Sequence, residues 1–147
     1  MKATDLTRTA TSLAADLRRR GFTGRIIQSG EPGYEDARRV WNGVVDRRPA
    51  LIARPSAAPD VAVAIGLARD SELPLAVRGG SHSTPGHSTW DDGMVIDLSQ
   101  LRHATVDPAA RQARVGGGAL LAHLDQAAQA HGWWFRPGRC RTPASVG

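Results

Sequence analysis

The densest concentration of groups able to do chemistry lies between Arg78 and Trp90. There Arg78-Gly79-Gly80-Ser81-His82-Ser83-Thr84 runs on into Pro85-Gly86-His87-Ser88-Thr89. Adjacent glycines admit positive φ and let a backbone approach a ligand closely. Successive N–H groups in such a turn can converge on an anion, and the hydroxyls of Ser81, Ser83, Thr84 and Ser88 add donors for phosphate oxygens. The spacing is neither a P-loop nor a GxGxxG fingerprint, and a glycine turn after a strand serves structure as readily as binding. His82 and His87 raise a metal reading. Their separation would suit one side of a helix, but Pro85 and Gly86 oppose a helix there. No Cys or Glu stands nearby as a third ligand, although Asp91 and Asp92 are available, so the expectation is no zinc or iron site. His103, His123 and His131 read as surface or helix-end residues.

The loop needs a rigid support, and the pattern around it supplies one. Leu73-Pro74-Leu75-Ala76-Val77 reads as a strand leading directly into it. Upstream, Ala50-Leu51-Ile52-Ala53 is a short apolar strand closed by Arg54-Pro55. Between them Ser56, Pro59 and Asp60 suit a helix start, with Val61, Ile65 and Ala68 as its expected buried stripe. Strand, crossover helix and strand make a βαβ unit with parallel strands. Met94 to Leu98 is a third strand. Two alternating strands, near Ala104–Val106 and Gln112–Val115, form a hairpin through Asp107-Pro108. Gly116-Gly117-Gly118 ends it, and Leu120, Leu121, Leu124 and Ala128 mark a last helix stopped by Gly132.

Toward the N-terminus, Leu6, Ala10, Leu13, Ala14 and Leu17 follow helical spacing, with Thr4 or Asp5 as cap and Gly21 as stop. Tyr34, Ala37, Trp41 and Val44 suggest a second helix ending near Gly43. The predicted fold is α+β: a helical segment over 1–45, then one domain over 46–147 with a βαβ start, a mixed sheet and flanking helices.

Composition bounds the function. The chain has 147 residues, 41% hydrophobic and 22% charged, which suits one globular domain rather than a disordered chain. Its formal net charge of +5 raises nucleic acid as a partner. Lys2 is the only lysine, however, and the arginines are dispersed with acids such as Asp16, Glu35, Asp36 and Asp46 nearby. Solvated surface charge is the favoured reading, with a basic nucleic-acid-binding domain as the rival. No apolar run reaches the roughly 20 residues of a membrane span, and the start lacks a secretory signal. The default expectation is therefore a cytoplasmic protein without membrane contact. A lone cysteine, Cys140, rules out an internal disulfide framework.

Several ordered motifs together resemble the FAD-linked oxidases. They are Pro32-Gly33-Tyr34 with Trp41-Asn42, Asp46-Arg47-Arg48-Pro49-Ala50-Leu51-Ile52-Ala53-Arg54-Pro55, Leu73 to His82, Gly93-Met94-Val95-Ile96-Asp97-Leu98-Ser99, Val106-Asp107-Pro108 and Ala113-Arg114-Val115-Gly116-Gly117-Gly118. The pattern is similar to the berberine-bridge-enzyme-like branch of the vanillyl-alcohol oxidase/p-cresol methylhydroxylase superfamily, over roughly residues 30–138. The resemblance implies FAD as cofactor, with Arg78, Gly79, Gly80, Ser81, His82, Ser83 and Thr84 around its pyrophosphate. It implies His82 as the histidine that often bonds the flavin 8-methyl carbon, and Cys140 as the position of a second covalent link in some members. It also implies hydride abstraction from an alcohol, sugar or amine carbon, with reoxidation by dioxygen or another acceptor.

The family pattern has a third glycine where this chain has Ser81, and it fails after Cys140, in Arg141-Thr142-Pro143-Ala144-Ser145-Val146-Gly147. The expectation is a truncated or frameshifted frame, or a site completed by a second chain, with no residue assignable as catalytic base. An inactive remnant is the other rival.

Overall fold

The computed structural model describes residues 3–133. Its first helix, α1 (Ala3–Arg19), ends as the sequence predicts. Gly21 takes φ +88, the Phe22 N–H donates to the Leu17 carbonyl at 3.0 Å and the Gly21 N–H to Arg18 at 3.0 Å. This is a Schellman stop, and it delivers Phe22 into the core at 2% exposure.

A four-stranded sheet follows, built from β1 (Arg25–Gln28), β2 (Leu51–Arg54), β3 (Leu75–Arg78) and β4 (Met94–Asp97) in the order β1-β2-β4-β3. β2 and β3 are both parallel to β4, so the expected parallel βαβ unit is present. β4 lies between its two strands, an order on which the sequence was silent. β1 was not foreseen. It is an antiparallel edge strand on β2, four residues long with Arg25 and Gln28 at its ends, too short and too polar to show an alternation. The segment before residue 46 therefore contributes a strand as well as helices to the sheet.

The two faces of the sheet are packed differently. Leu51, Ala53, Met94 and Ile96 meet Leu13 and Leu17 of α1 and Ala64, Leu67 and Ala68 of α3 (Ala58–Asp70). Ile52, Ala76 and Val95 meet Ile27 and, from α2 (Tyr34–Arg38), Tyr34 and Ala37. β4 is buried at every position, as a central parallel strand covered on both faces must be.

Two predicted stripes need correction. The buried face of α3 is Asp60, Ala64, Leu67 and Ala68, while Ile65 stays 45% exposed. Asp60 sets that register. Its carboxylate accepts the N–H groups of Thr23 and Ser56, both at 2.8 Å, and the Ser56 hydroxyl at 2.9 Å. Burial alone would raise its pKa, and these donors instead bring it down to about 2. The second helix stops at Arg38 rather than near Gly43, leaving Trp41 62% and Val44 90% exposed. The periodicity there came from a strap of irregular chain, not a longer helix.

β5 (Ala104–Asp107) and β6 (Gln112–Val115) form the expected antiparallel hairpin, and α4 (Leu121–Gln129) the expected last helix. No helix among the described residues is long and apolar enough to cross a membrane.

Candidate functional site

Parallel strands place their ligand sites beyond their carboxyl ends. β3 ends at Arg78 and β4 at Asp97, side by side in register, on the face covered by α2. Asp97 is 2% and Arg78 5% exposed. One carboxylate oxygen, Asp97 Oδ2, accepts Arg78 Nη2 at 2.9 Å and Arg54 Nε at 2.8 Å, while Oδ1 accepts the Ser99 N–H at 3.1 Å. Burial pushes the Asp97 pKa up. The Arg78 guanidinium, then Arg54 and the Ser99 side chain, outweigh burial and hold it below the ordinary carboxylate range. Arg78 also donates to the carbonyls of Ala37 and Arg39. Its side chain thus braces the start of the loop from within.

Above this ion pair lies a cavity of about 350 Å³. Its walls include Gly79, Gly80 and Ser81 from the loop, with Arg39, Arg54, Arg102 and His123 around them. Arg54 and Arg102 were part of the dispersed surface charge in the sequence, and His123 read as a helix-end residue. His123 does sit at the start of α4, where its Nδ1 accepts the Leu120 N–H at 2.9 Å, but it also faces the cavity. Only contact across the fold reveals these three, so spacing could not have found them.

Among the described residues, no hydrogen bond is donated by the amides of Gly80, Ser81, His82, Ser83 or Thr84. Positive φ falls on Ser81, at 58°, and not on Gly79 or Gly80. The glycines serve close approach instead. A Cβ on Gly79 would stand 2.5 Å from the Gly117 carbonyl oxygen, and one on Gly80 would stand 3.0 Å from the His82 ring. The His82 imidazole therefore folds back over Gly80, and it is exposed.

Thr84 is exposed too, whereas the Ser83 hydroxyl accepts the His87 N–H at 3.0 Å. Ser88 is buried, with no protein partner for its hydroxyl among the described residues. No cluster of three metal-ligating side chains occurs among those residues either. Cys140 lies outside them.

This arrangement of strand-end loop, open amides and arginine wall agrees with what the chain matches. Residues 49–147 match the FAD binding domain family. The chain belongs to that family. It is 37% identical over 101 residues to (R)-6-hydroxynicotine oxidase of Paenarthrobacter nicotinovorans, covering 69% of this chain and 22% of that protein. It is 33% identical over 123 residues to the FAD-linked oxidoreductase hasG of Aspergillus fumigatus, covering 83% of this chain and 26% of that protein. Among solved structures, 6-hydroxy-D-nicotine oxidase of Arthrobacter nicotinovorans superposes with a TM-score of 0.73 at 34% identity, over 77% of this chain and 25% of that one. A variant of the berberine-bridge-like enzyme 1 of Physcomitrella patens does so with a TM-score of 0.74 at 26% identity, over 81% and 26% of the two chains. The chain thus spans about a quarter of the length of these FAD-linked relatives.

The FAD-binding domain has residues that suit its cofactor. Undonated amides and Arg102 fit a diphosphate, while Arg39 and Arg54 line the same cavity paired with Asp36 and Asp97. A cavity of about 350 Å³ takes that part of a dinucleotide rather than the whole.

Proposed function

We propose that residues 79–84 hold the FAD diphosphate and that His82 is the attachment point for the flavin ring. The parent activity is oxidation of a small alcohol, sugar or amine with return of the electrons to dioxygen or another acceptor. When bound, the flavin supplies the redox chemistry, accepting a hydride from the substrate carbon. The residues of this chain bind and orient. The amides from Gly80 to Thr84 donate to phosphate oxygens, Arg102 balances the charge, and Arg78 keeps the loop at the end of β3. Residues 46–147 form the flavin domain in this reading, with 1–45 supplying β1 to its sheet. A second chain completing the cradle belongs to the same proposal, and Cys140 is a further attachment point within it.

One observation carries the reading: five consecutive loop amides donate to no described residue, and the first two belong to Gly80 and Ser81, which line an arginine-walled cavity, with the His82 ring against Gly80. Purification of the full chain with added FAD, then acid precipitation, tests it. A yellow pellet is expected from the wild-type chain and a colourless one from His82→Ala. A colourless wild-type protein with no affinity for FAD overturns the reading. If that protein also retarded DNA with a steep salt dependence, the basic-domain rival would replace it.

A further inference from the structure

We infer that the strap between α2 and β2 sets the orientation of the His82 imidazole, with Trp41 as its positioning residue. The functional meaning of this rests on the flavin reading above. The strap lies before residue 49, where the family match begins. It touches the glycine loop at successive points. The Trp41 N–H donates to the Ser81 carbonyl at 3.2 Å, and the indole lies 6.1 Å from the His82 ring, tilted by 42°. Asn42 Nδ2 donates to the Thr84 carbonyl at 2.8 Å, while its Oδ1 accepts the Val44 N–H at 3.2 Å. With both ends engaged, the Asn42 amide cannot turn over. The Val45 side chain packs against Gly86, where an added Cβ would come within 2.8 Å of Val45 Cγ1.

The imidazole therefore has the indole and Gly80 as its neighbours. The strap is itself held. Arg78 donates to the carbonyls of Ala37 and Arg39, Arg38 pairs with Asp46 and donates to the Arg47 carbonyl at 3.2 Å, and Arg47 donates to the Thr89 carbonyl at 3.0 Å. Trp41 is 62% exposed, so burial does little to explain an indole there. Its contact with His82 does. Precision at a reacting group comes from neighbours that restrict its rotamer, and a misplacement of about 1 Å can cost on the order of a hundredfold in rate.

The test uses the full chain, labelled at histidine for NMR. Trp41→Ala is expected to shift the His82 ring signals while leaving those of His103 and His123 in place, with little change in melting temperature. Trp41→Phe should keep most of the wild-type His82 position. Trp90→Ala, which removes an indole stacked on Arg47 at 4.8 Å, should leave His82 unmoved. A folded Trp41→Ala protein with wild-type His82 signals overturns the inference, as does an equal shift from Trp90→Ala. A parallel FAD titration should show about tenfold weaker binding in Trp41→Ala and recovery in Trp41→Phe. Equal FAD affinity in all three proteins would overturn the link to the flavin. Should the wild-type chain bind no FAD, the flavin reading fails, and the NMR arm still decides whether the strap holds His82.

Discussion

The runs Gly79-Gly80 and Gly116-Gly117-Gly118 face one another across the cavity edge, and they use glycine in different ways. In the second run the backbone is closed against its neighbours. The Gly116 N–H donates to the His103 carbonyl at 2.8 Å and the Gly118 N–H to the Leu101 carbonyl at 3.0 Å. A Cβ on Gly118 would lie 1.7 Å from the Leu98 oxygen, and one on Gly116 2.0 Å from the Leu101 oxygen. In the first run the amides from Gly80 onward donate to no described residue, and the atoms nearest Gly80 are the ends of the His82 and Leu120 side chains. One run is a packing seam. The other is packed at Gly79, against the Gly117 carbonyl, and presents its backbone outward only from Gly80 on. Absence of a side chain is needed for either, so glycine content by itself does not mark a ligand site; the fate of the amides does.

The largest test of that contrast is Gly118→Ala. The obstacle is a carbonyl oxygen of the short 3₁₀ turn Leu98–Gln100, which cannot swing aside as a side chain can. Overpacking in a core typically costs about 1–3 kcal/mol, and a forced backbone shift should exceed that, at about 4 kcal/mol. Denaturant unfolding of the full-length variant checks it. A loss below about 1 kcal/mol would mean that the seam can open, and the distinction between the runs would fall.

Next in size is Asp97→Asn, because Asp97 joins the two runs. It holds Arg78 just before Gly79, and it takes the Ser99 N–H in the turn whose Leu98 oxygen stands over Gly118. Removing one partner of a buried ion pair leaves an uncompensated charge, so about 3 kcal/mol should be lost at neutral pH. The folded-state pKa of Asp97 is depressed, chiefly by Arg78 against the opposing effect of burial. Its contribution is therefore full above the unfolded value near pH 4 and is lost as the pH falls through the lower folded value. Stability measured against pH should accordingly fall less steeply on the acid side for Asp97→Asn than for the wild type. Parallel acid limbs would show that the Asp97 pKa is the same in the folded and unfolded chain, so that its ion pair contributes nothing.

Much of this architecture is legible in the sequence, for identifiable reasons. Ala50 to Ala53 and Met94 to Leu98 announce buried strands because a centrally placed parallel strand is apolar on both faces. Gly21 and Gly132 mark helix ends because both adopt positive φ there, at 88° and 69°. The chemistry-bearing loop stands out because residues of its types do not continue a strand. What stays hidden depends on distant partners. β1 exists because β2 offers it an edge, α3 turns its Asp60 face inward because Thr23 and Ser56 supply donors, and Arg54, Arg102 and His123 meet only after the hairpin folds back. The short α2 misleads for a related reason. Trp41 keeps the spacing of a helical stripe while its N–H is taken by Ser81, so the apolar period continues past the point where the helix hydrogen bonds stop.

The smallest predicted effect has the opposite sign and lies inside the first run. Ser81 carries φ 58°, so the residue in the left-handed region is the serine and not either glycine before it. A non-glycine residue there costs about 1 kcal/mol, whereas glycine adds unfolded-state entropy worth about 0.4–1 kcal/mol. The two nearly offset, so Ser81→Gly should stabilise by no more than about 0.5 kcal/mol, or about 1–2 °C in melting temperature. A loss of more than about 1 kcal/mol would mean that the Ser81 side chain holds the turn, and the outward-facing run would then be built partly as a seam. FAD titration separates the remaining roles. Unchanged affinity in Ser81→Gly would leave binding to the amides, while weaker affinity with unchanged stability would assign the Ser81 hydroxyl to the diphosphate.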